Sequence, residues 1–407
     1  MSWTGRGVAL TSFVGAGVLA LSACTPPMPP DVLAARAENQ IECQTGAADV
    51  AVPENLMGSM QMLGDALTSV CPDQTLMEVP EDQPAPLRVT TGTPSAETIA
   101  AFEENCTPGD TIYVPLYGYP VTLAYNIPGL EGLVLTPAAI AGILNGTITS
   151  WEDPAITEPN ASFDLTLLPE IAVMSTESPS GAVEAMTTWL SDVVPDQWTE
   201  GVVGTLPDST VLPTYMDLIL EMTLMEGTVA VLPVFDAINN LIPAASLPVV
   251  DDAEGGTGET VYISADDVQL AKIGIGAINV TTDEKGNIAA APAVGGIPVA
   301  ENFDFASTKV ILQEGQPMIG WPVNGVGHLL VCDSPDNPVP LSVAQYALRL
   351  AGQGALESYG LTPIPEPVRI STFTPLKVVA AEGDPEGAAE GDVDGAAVDV
   401  PAEGETD

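Results

Sequence analysis

Between Ile171 and Leu190 the chain reads IAVMSTESPSGAVEAMTTWL. The hydroxyls of Ser175, Thr176, Ser178 and Ser180 crowd into a turn, Gly181 closes it, and a run of helical period follows. A helix that begins at Ser180-Gly181-Ala182 presents unpaired backbone N–H groups, and its dipole favours negative charge at that end. Hydroxyl and N–H donors together can hold an anion or a neutral polar solute. Simple capping of the helix by Ser180 would use the same residues without any ligand. The stretch contains no Lys or Arg, and Glu177 adds a negative charge.

Other chemistry is sparse. The single histidine, His328, lies in the apolar phrase NGVGHLLV and reads as a hydrogen-bonded strand residue. No Cys, His or carboxylate spacing suggests a metal site, and no GxSxG phrase offers a nucleophile, so neither an enzyme nor a cofactor is expected. With 9 Lys+Arg against 55 Asp+Glu and a net charge of -46, nucleic acid is excluded as a partner, because phosphate backbones are bound by clustered cations. A chain of 407 residues is long enough to bury a sizeable core.

The N-terminus reads as a bacterial lipoprotein signal. Arg6 precedes an apolar, small-residue run that ends in Leu-Ser-Ala-Cys at Cys24, followed by TPPMPP. Cys24 would be lipidated and become the mature N-terminus of a monomer anchored to the outside of the cell membrane. The competing reading, a spanning helix, has only about seventeen apolar residues to work with. Cys43, Cys71, Cys106 and Cys332 remain, an even number in an oxidising compartment, and predict two disulfides whose pairing stays open among three connectivities.

Residues 25–40 read as a Pro-rich tether, and residues 380–407, repeating Ala, Gly and acid, as a disordered tail. Between them, short apolar runs alternate with helix-period segments, which predicts an α/β fold. Strands are expected in LRVTTG from Leu87, TIYVPLYGYPVTLAYN from Thr111, DLTLLPEIAVMS from Asp164, GTVAVLP from Gly227 and GVGHLLVC from Gly325. Helices are expected from Leu56, Ser95, Thr136, Ser180, Thr214 and Val343, the last running unbroken to Gly360.

The segment YNIPGLEGLVLTPAAIAGILNGTITSWEDPAI, Tyr125 to Ile156, closely resembles the phosphate-binding family of ABC-transporter extracytoplasmic solute-binding proteins. EGTVAVLP from Glu226, GWPVNG from Gly320 and LTPIPEPVRI from Leu361 are similar to other phrases of that family. The resemblance implies a two-lobed clamshell of the periplasmic-binding-protein type, with the chain crossing twice between lobes near Tyr117 to Val121 and near Gly320 to Val323. The solute-binding-like domain would span 41–379, with lobe 1 at about 41–118 plus 322–379 and lobe 2 at about 119–321. It also implies phosphate or another small polar solute as ligand and an ABC permease as partner. Carried onto this chain, the ligand contacts would be Thr91, Thr176, Ser180, Gly181 and Ala182.

The pocket departs from the family pattern. Where the family's loop reads Arg-Ser-Asp-Gly-Ser-Gly-Thr-Thr, this chain reads STESPSGAV: Ser175 takes the place of the Arg, and Pro179 lengthens the loop by one residue. The family's Ser-Asp turn is Thr91-Gly92 here. Losing a charge-assisted contact costs about 1.5 to 3 kcal/mol, so weak phosphate binding is expected. The alternative is a surface interaction or assembly module that keeps the fold and has lost small-anion binding.

Overall fold

The computed structural model describes Glu38 and residues 42–250, 260–263, 277–293 and 321–378. The expected lipidation site Cys24, most of the tether and the acidic tail lie outside the described residues.

Lobe 1 begins with β1 (Gly46–Val52), a 3-10 turn (Glu54–Leu56), α1 (Ser59–Val70), β2 (Gln74–Pro80), β3 (Leu87–Thr90) and α2 (Ala96–Asn105). β1 runs parallel to both β2 and β3. Val50 and Val52 are buried on β1, as are Met60, Leu63 and Leu67 on α1, a spacing that lays one helix face on the sheet. The Ser95 side chain accepts from the Thr98 N–H and caps α2.

The long strand β4 (Asp110–Tyr125) carries the chain out of lobe 1. Its first part pairs with β12 (Asn324–Asp333), and its last part, Val121 to Tyr125, pairs with β7 (Thr228–Pro233). One strand therefore belongs to the sheets of both lobes. The resulting order is β2-β1-β3-β12-β4-β7-β5-β6, where β5 is Ala172–Thr176 and β6 is Thr210–Leu212. The expected return crossing begins outside the described residues, and its described part lies against β4: the Trp321 indole N–H donates to the Val121 carbonyl at 2.7 Å, and Val121 N–H to the Val323 carbonyl at 2.8 Å.

The helices of lobe 2 are α3 (Pro137–Leu144), α4 (Pro154–Thr157), α5 (Gly181–Val193), α6 (Tyr215–Leu224) and α7 (Val234–Asn239). Thr136 caps α3 as expected, and Thr214 caps α6. Two hairpins follow, β8 (Leu247–Val250) with β9 (Thr260–Ile263) and β10 (Ala277–Thr282) with β11 (Ile288–Ala293). β10 and β11 fall within the span expected for lobe 2 yet make contacts with lobe 1. The Asn287 side chain accepts from Tyr113 N–H, and Lys285 pairs with Glu103 at 2.8 Å.

The chain closes with α8 (Val339–Ala347), α9 (Leu350–Tyr359), β13 (Thr362–Pro363) and α10 (Glu366–Ser371). The single helix expected from Val343 is thus two, broken at Leu348-Arg349. The break lets Gly352 approach the end of α8, where a Cβ would lie only 2.4 Å from the Tyr346 carbonyl oxygen. Gly360 ends α9 in the left-handed conformation, as a helix stop should. Buried Arg369 on α10 is neutralised by Glu366 and by Glu38, so the packing of the fold reaches three residues ahead of the expected start at Ile41.

Two disulfides form, as the cysteine count predicted. Cys43 joins Cys71, and Cys106, at the end of α2, joins Cys332 on β12. The second bridge closes around the whole excursion of the chain into lobe 2.

Candidate functional site

The site is built where β4 leaves lobe 1. Tyr117 and Tyr119 alternate along β4, directly opposite Gly327 and Gly325 of β12. The glycines are required by close approach: a Cβ on either would sit 2.1 Å from the facing tyrosine ring. With both rings lying flat over glycine, their hydroxyls reach the end of β3. Tyr117 Oη donates to the Thr90 carbonyl at 2.9 Å, and Tyr119 Oη donates to the Thr91 carbonyl. The His328 ring fixes the next carbonyl. Its Nε2 accepts from Ala290 N–H at 2.9 Å, so the proton sits on Nδ1, which donates to the Gly92 carbonyl at 3.1 Å. His328 is therefore the hydrogen-bonded strand residue that the sequence suggested, and burial pulls its pKa down to about 4.

The turn held in this way meets the start of α5 from lobe 2. Gly181 N–H donates to Thr91 Oγ1 at 3.3 Å. Only glycine fits at 181, because a Cβ would lie 2.2 Å from the Thr91 carbonyl oxygen. Of the expected contact residues, Thr91, Ser180 and Gly181 come together here. Thr176 and Ser180 also line one small cavity, with Ser175 and Tyr215, of about 10 Å³, which is room for about one water. Thr176 Oγ1 is turned to the Ser178 carbonyl at 2.9 Å, and Ala182 is buried in the helix packing. Ser180 occupies the cap position of α5 but makes no side-chain capping bond, unlike Ser95 and Thr136. Its hydroxyl is left for other use.

No basic residue lines this cavity among the described residues. Ser175, where an Arg would be expected, is buried and bonds Ser209 Oγ at 2.7 Å. Carboxylates are close instead. Glu184, in the first turn of α5, sets a carboxylate oxygen 2.8 Å from where a Cβ on Gly92 would stand, and burial pushes its pKa up. Among the described residues this cradle offers N–H and O–H dipoles and an acid, and no cation. The cavity as it stands has room for about one water and not for a phosphate.

A second interlobe cluster was not legible in the sequence. Asp236 of α7, only 6% exposed, accepts from Tyr215 Oη at 2.7 Å and from Asn55 Nδ2 of lobe 1 at 3.4 Å. Beside it the Glu54 carboxylate of lobe 1 accepts from Tyr215 N–H at 2.9 Å, satisfying the N-terminus of α6 across the cleft. Burial raises the Asp236 pKa from the usual 3.8 to about 7, although the bonds from Tyr215 and Asn55 pull the other way. The alternation of tyrosines in YVPLYGYP against glycines in NGVGH was the one available signal for this neighbourhood.

A family model described as a PBP superfamily domain matches residues 88–313, more than half of the chain and including the crossing on β4. The chain belongs to the PBP superfamily. Among curated relatives, phosphate-binding protein PstS 3 of Mycobacterium leprae is 32% identical over 109 residues, covering 26% of this chain and 29% of the relative. Phosphate-binding protein PstS 2 of Mycobacterium tuberculosis is 35% identical over 86 residues, covering 21% and 23%. The matched segments thus span less than a third of either relative. In fold, this PBP protein is similar to the ancestral soluble variant of the human phosphate binding protein, with a TM-score of 0.51, 13% identity, and coverage of 81% of this chain and 93% of that one. A human phosphate binding apolipoprotein gives a TM-score of 0.50 at 14% identity, covering 81% and 94%. At these identities the likeness is one of fold, a mixed α/β architecture in two lobes. Among the described residues no helix is long and apolar enough to cross a membrane.

Proposed function

We propose that this protein is a lipid-anchored, extracytoplasmic solute receptor of an ABC transporter, with a divergent pocket that holds phosphate or another small polar solute weakly. One observation carries the reading: the Thr91 turn of lobe 1 and the N-terminus of α5 from lobe 2 face each other beside the strand shared by both lobes. Relatives named as phosphate-binding proteins support the solute class. On opening, the Gly181 N–H and the Thr91 hydroxyl exchange their mutual bond for bonds to the ligand, joined by the Ser180 hydroxyl, Thr176 and the N–H of Ala182. That exchange limits the gain, since one protein hydrogen bond is lost for each pair made. Native mass spectrometry of protein purified without added phosphate tests the receptor role. A retained small solute supports it, and bare protein at every solute concentration applied contradicts it.

The anchor is read from the LSAC phrase at Cys24 and the Pro-rich exit that follows. Two lipid-chain attachments are needed for stable membrane residence, so loss of the cysteine should be all-or-none. Cys24→Ala is expected to move the protein from the membrane fraction to the soluble fraction. A variant that stays membrane-bound with its N-terminus intact would mean a spanning helix instead.

A further inference from the structure

Pro179, the residue that lengthens the loop before α5, is exposed and takes no part in the cradle. It forms the lobe 2 wall of a separate groove of about 380 Å³, whose other walls come from lobe 1. That volume falls in the range of about 300–1,000 Å³ typical of small-molecule sites. The lobe 1 side brings together Arg88, Pro84, Thr98 and Phe102, with Ser95 and Glu97 at the start of α2. Arg88 is the basic residue of the lining. One of its terminal nitrogens donates to the Glu81 carbonyl at 2.7 Å, and the Glu81 carboxylate stands 3.9 Å from the other. A guanidinium has five N–H donors in a planar fork, so most of its capacity to grip a carboxylate is unspent. The buried Phe102 ring and the two prolines supply apolar surface beside it.

We propose that this groove binds a small organic monoanion, its carboxylate on Arg88 and its apolar body between Phe102 and Pro179. Single charge follows from the surroundings: one cation, partly shared with Glu81, and Glu97 in the same lining disfavour a multiply charged ligand. Because Arg88 belongs to lobe 1 and Pro179 to lobe 2, the occupant bridges the lobes at a point distinct from the Thr91 and Gly181 contact. The proposal does not depend on phosphate binding in the cradle.

Benzoate serves as probe, with inorganic phosphate as competitor, followed by calorimetry on the wild-type protein and on Arg88→Gln, Pro179→Glu and Ser180→Ala. Benzoate should bind the wild type, weaken at least tenfold in Arg88→Gln and in Pro179→Glu, and remain unchanged in Ser180→Ala. Phosphate at equal concentration should not displace it. Pro179 is exposed, so its variant reports on the groove without disturbing the core, and equal melting temperatures without ligand confirm that. The proposal is overturned by absence of benzoate binding at millimolar concentration, by affinity retained in both groove variants, by loss in Ser180→Ala alone, or by displacement with equimolar phosphate.

Discussion

Asp236→Asn should make the protein more stable at pH 8 by about 2–4 kcal/mol and should remove most of its stabilisation on mild acidification. The folded state holds this carboxyl at a pKa of about 7 against the usual 3.8, because burial disfavours its charge more than the Tyr215 and Asn55 bonds favour it. Below about pH 4 both folded and unfolded chains carry the proton, and the group costs nothing. As pH rises from 4 to 7 the unfolded chain ionises first, so stability is lost across that window, and above it the full penalty of about 4 kcal/mol stands. Asparagine keeps an acceptor for Tyr215 and never ionises. His328 works in the opposite sense. Its pKa is lowered from 6.5 to about 4, so its contribution is complete above pH 6.5 and disappears as pH falls towards 4. In the wild type the two slopes oppose each other, and Asp236→Asn removes the aspartate slope while leaving that of the histidine. Denaturant melts of both proteins at pH 4.5, 6 and 8 decide the matter. A variant that is less stable than wild type at pH 8 would show that the ionised carboxylate holds the lobes together.

The second large effect concerns the disulfides. Replacing Cys106 and Cys332 together by alanine is expected to cost about 2–5 kcal/mol, and more than replacing Cys43 and Cys71. The two bridges differ in sequence separation, 226 residues against 28. Chain entropy scaling with the logarithm of loop length makes the longer bridge worth about 2 kcal/mol more. The sulfurs of Cys106 and Cys332 also pack with Phe102 and Leu330, so their removal loosens the seam between α2 and β12. Urea denaturation of the two double variants measures both values. Equal losses, or a larger loss for the short loop, would refute the ordering.

How much of this was legible in the sequence varies with how local each feature is. The strand from Thr111 announced itself through a run rich in β-branched and aromatic residues despite Pro115, Gly118 and Pro120, and α2, α3, α5 and α6 through their helical period, with start signals at Thr136 and Ser180. β1 was not expected, because GAADVAV is rich in Ala and carries Asp, both poor strand formers. It is a strand because β2 and β3 flank it on either side. The run DLTLLPEIAVMS gave only β5, since Leu167 adopts a positive φ and the first half is turn. The cradle was half visible. Hydroxyls followed by Gly181 marked the helix start, but that Thr91 would meet Gly181, or that Tyr119 would lie over Gly325, depends on register between segments separated by most of the chain. The same holds for Asp236, one acid among 55 Asp+Glu, singled out only when folding buries it against Asn55 and Tyr215.

The central claim is that the lobes of this protein close on a neutral-donor cradle that has kept the geometry of an anion site and lost its charge. Calorimetric titration of the ligand-free protein with phosphate, repeated on Ser180→Ala, tests it most directly. The account predicts micromolar or weaker affinity, roughly one to two orders of magnitude below a site with a guanidinium contact, and a further loss in Ser180→Ala. Submicromolar binding that survives Ser180→Ala would contradict both the weakness and the location.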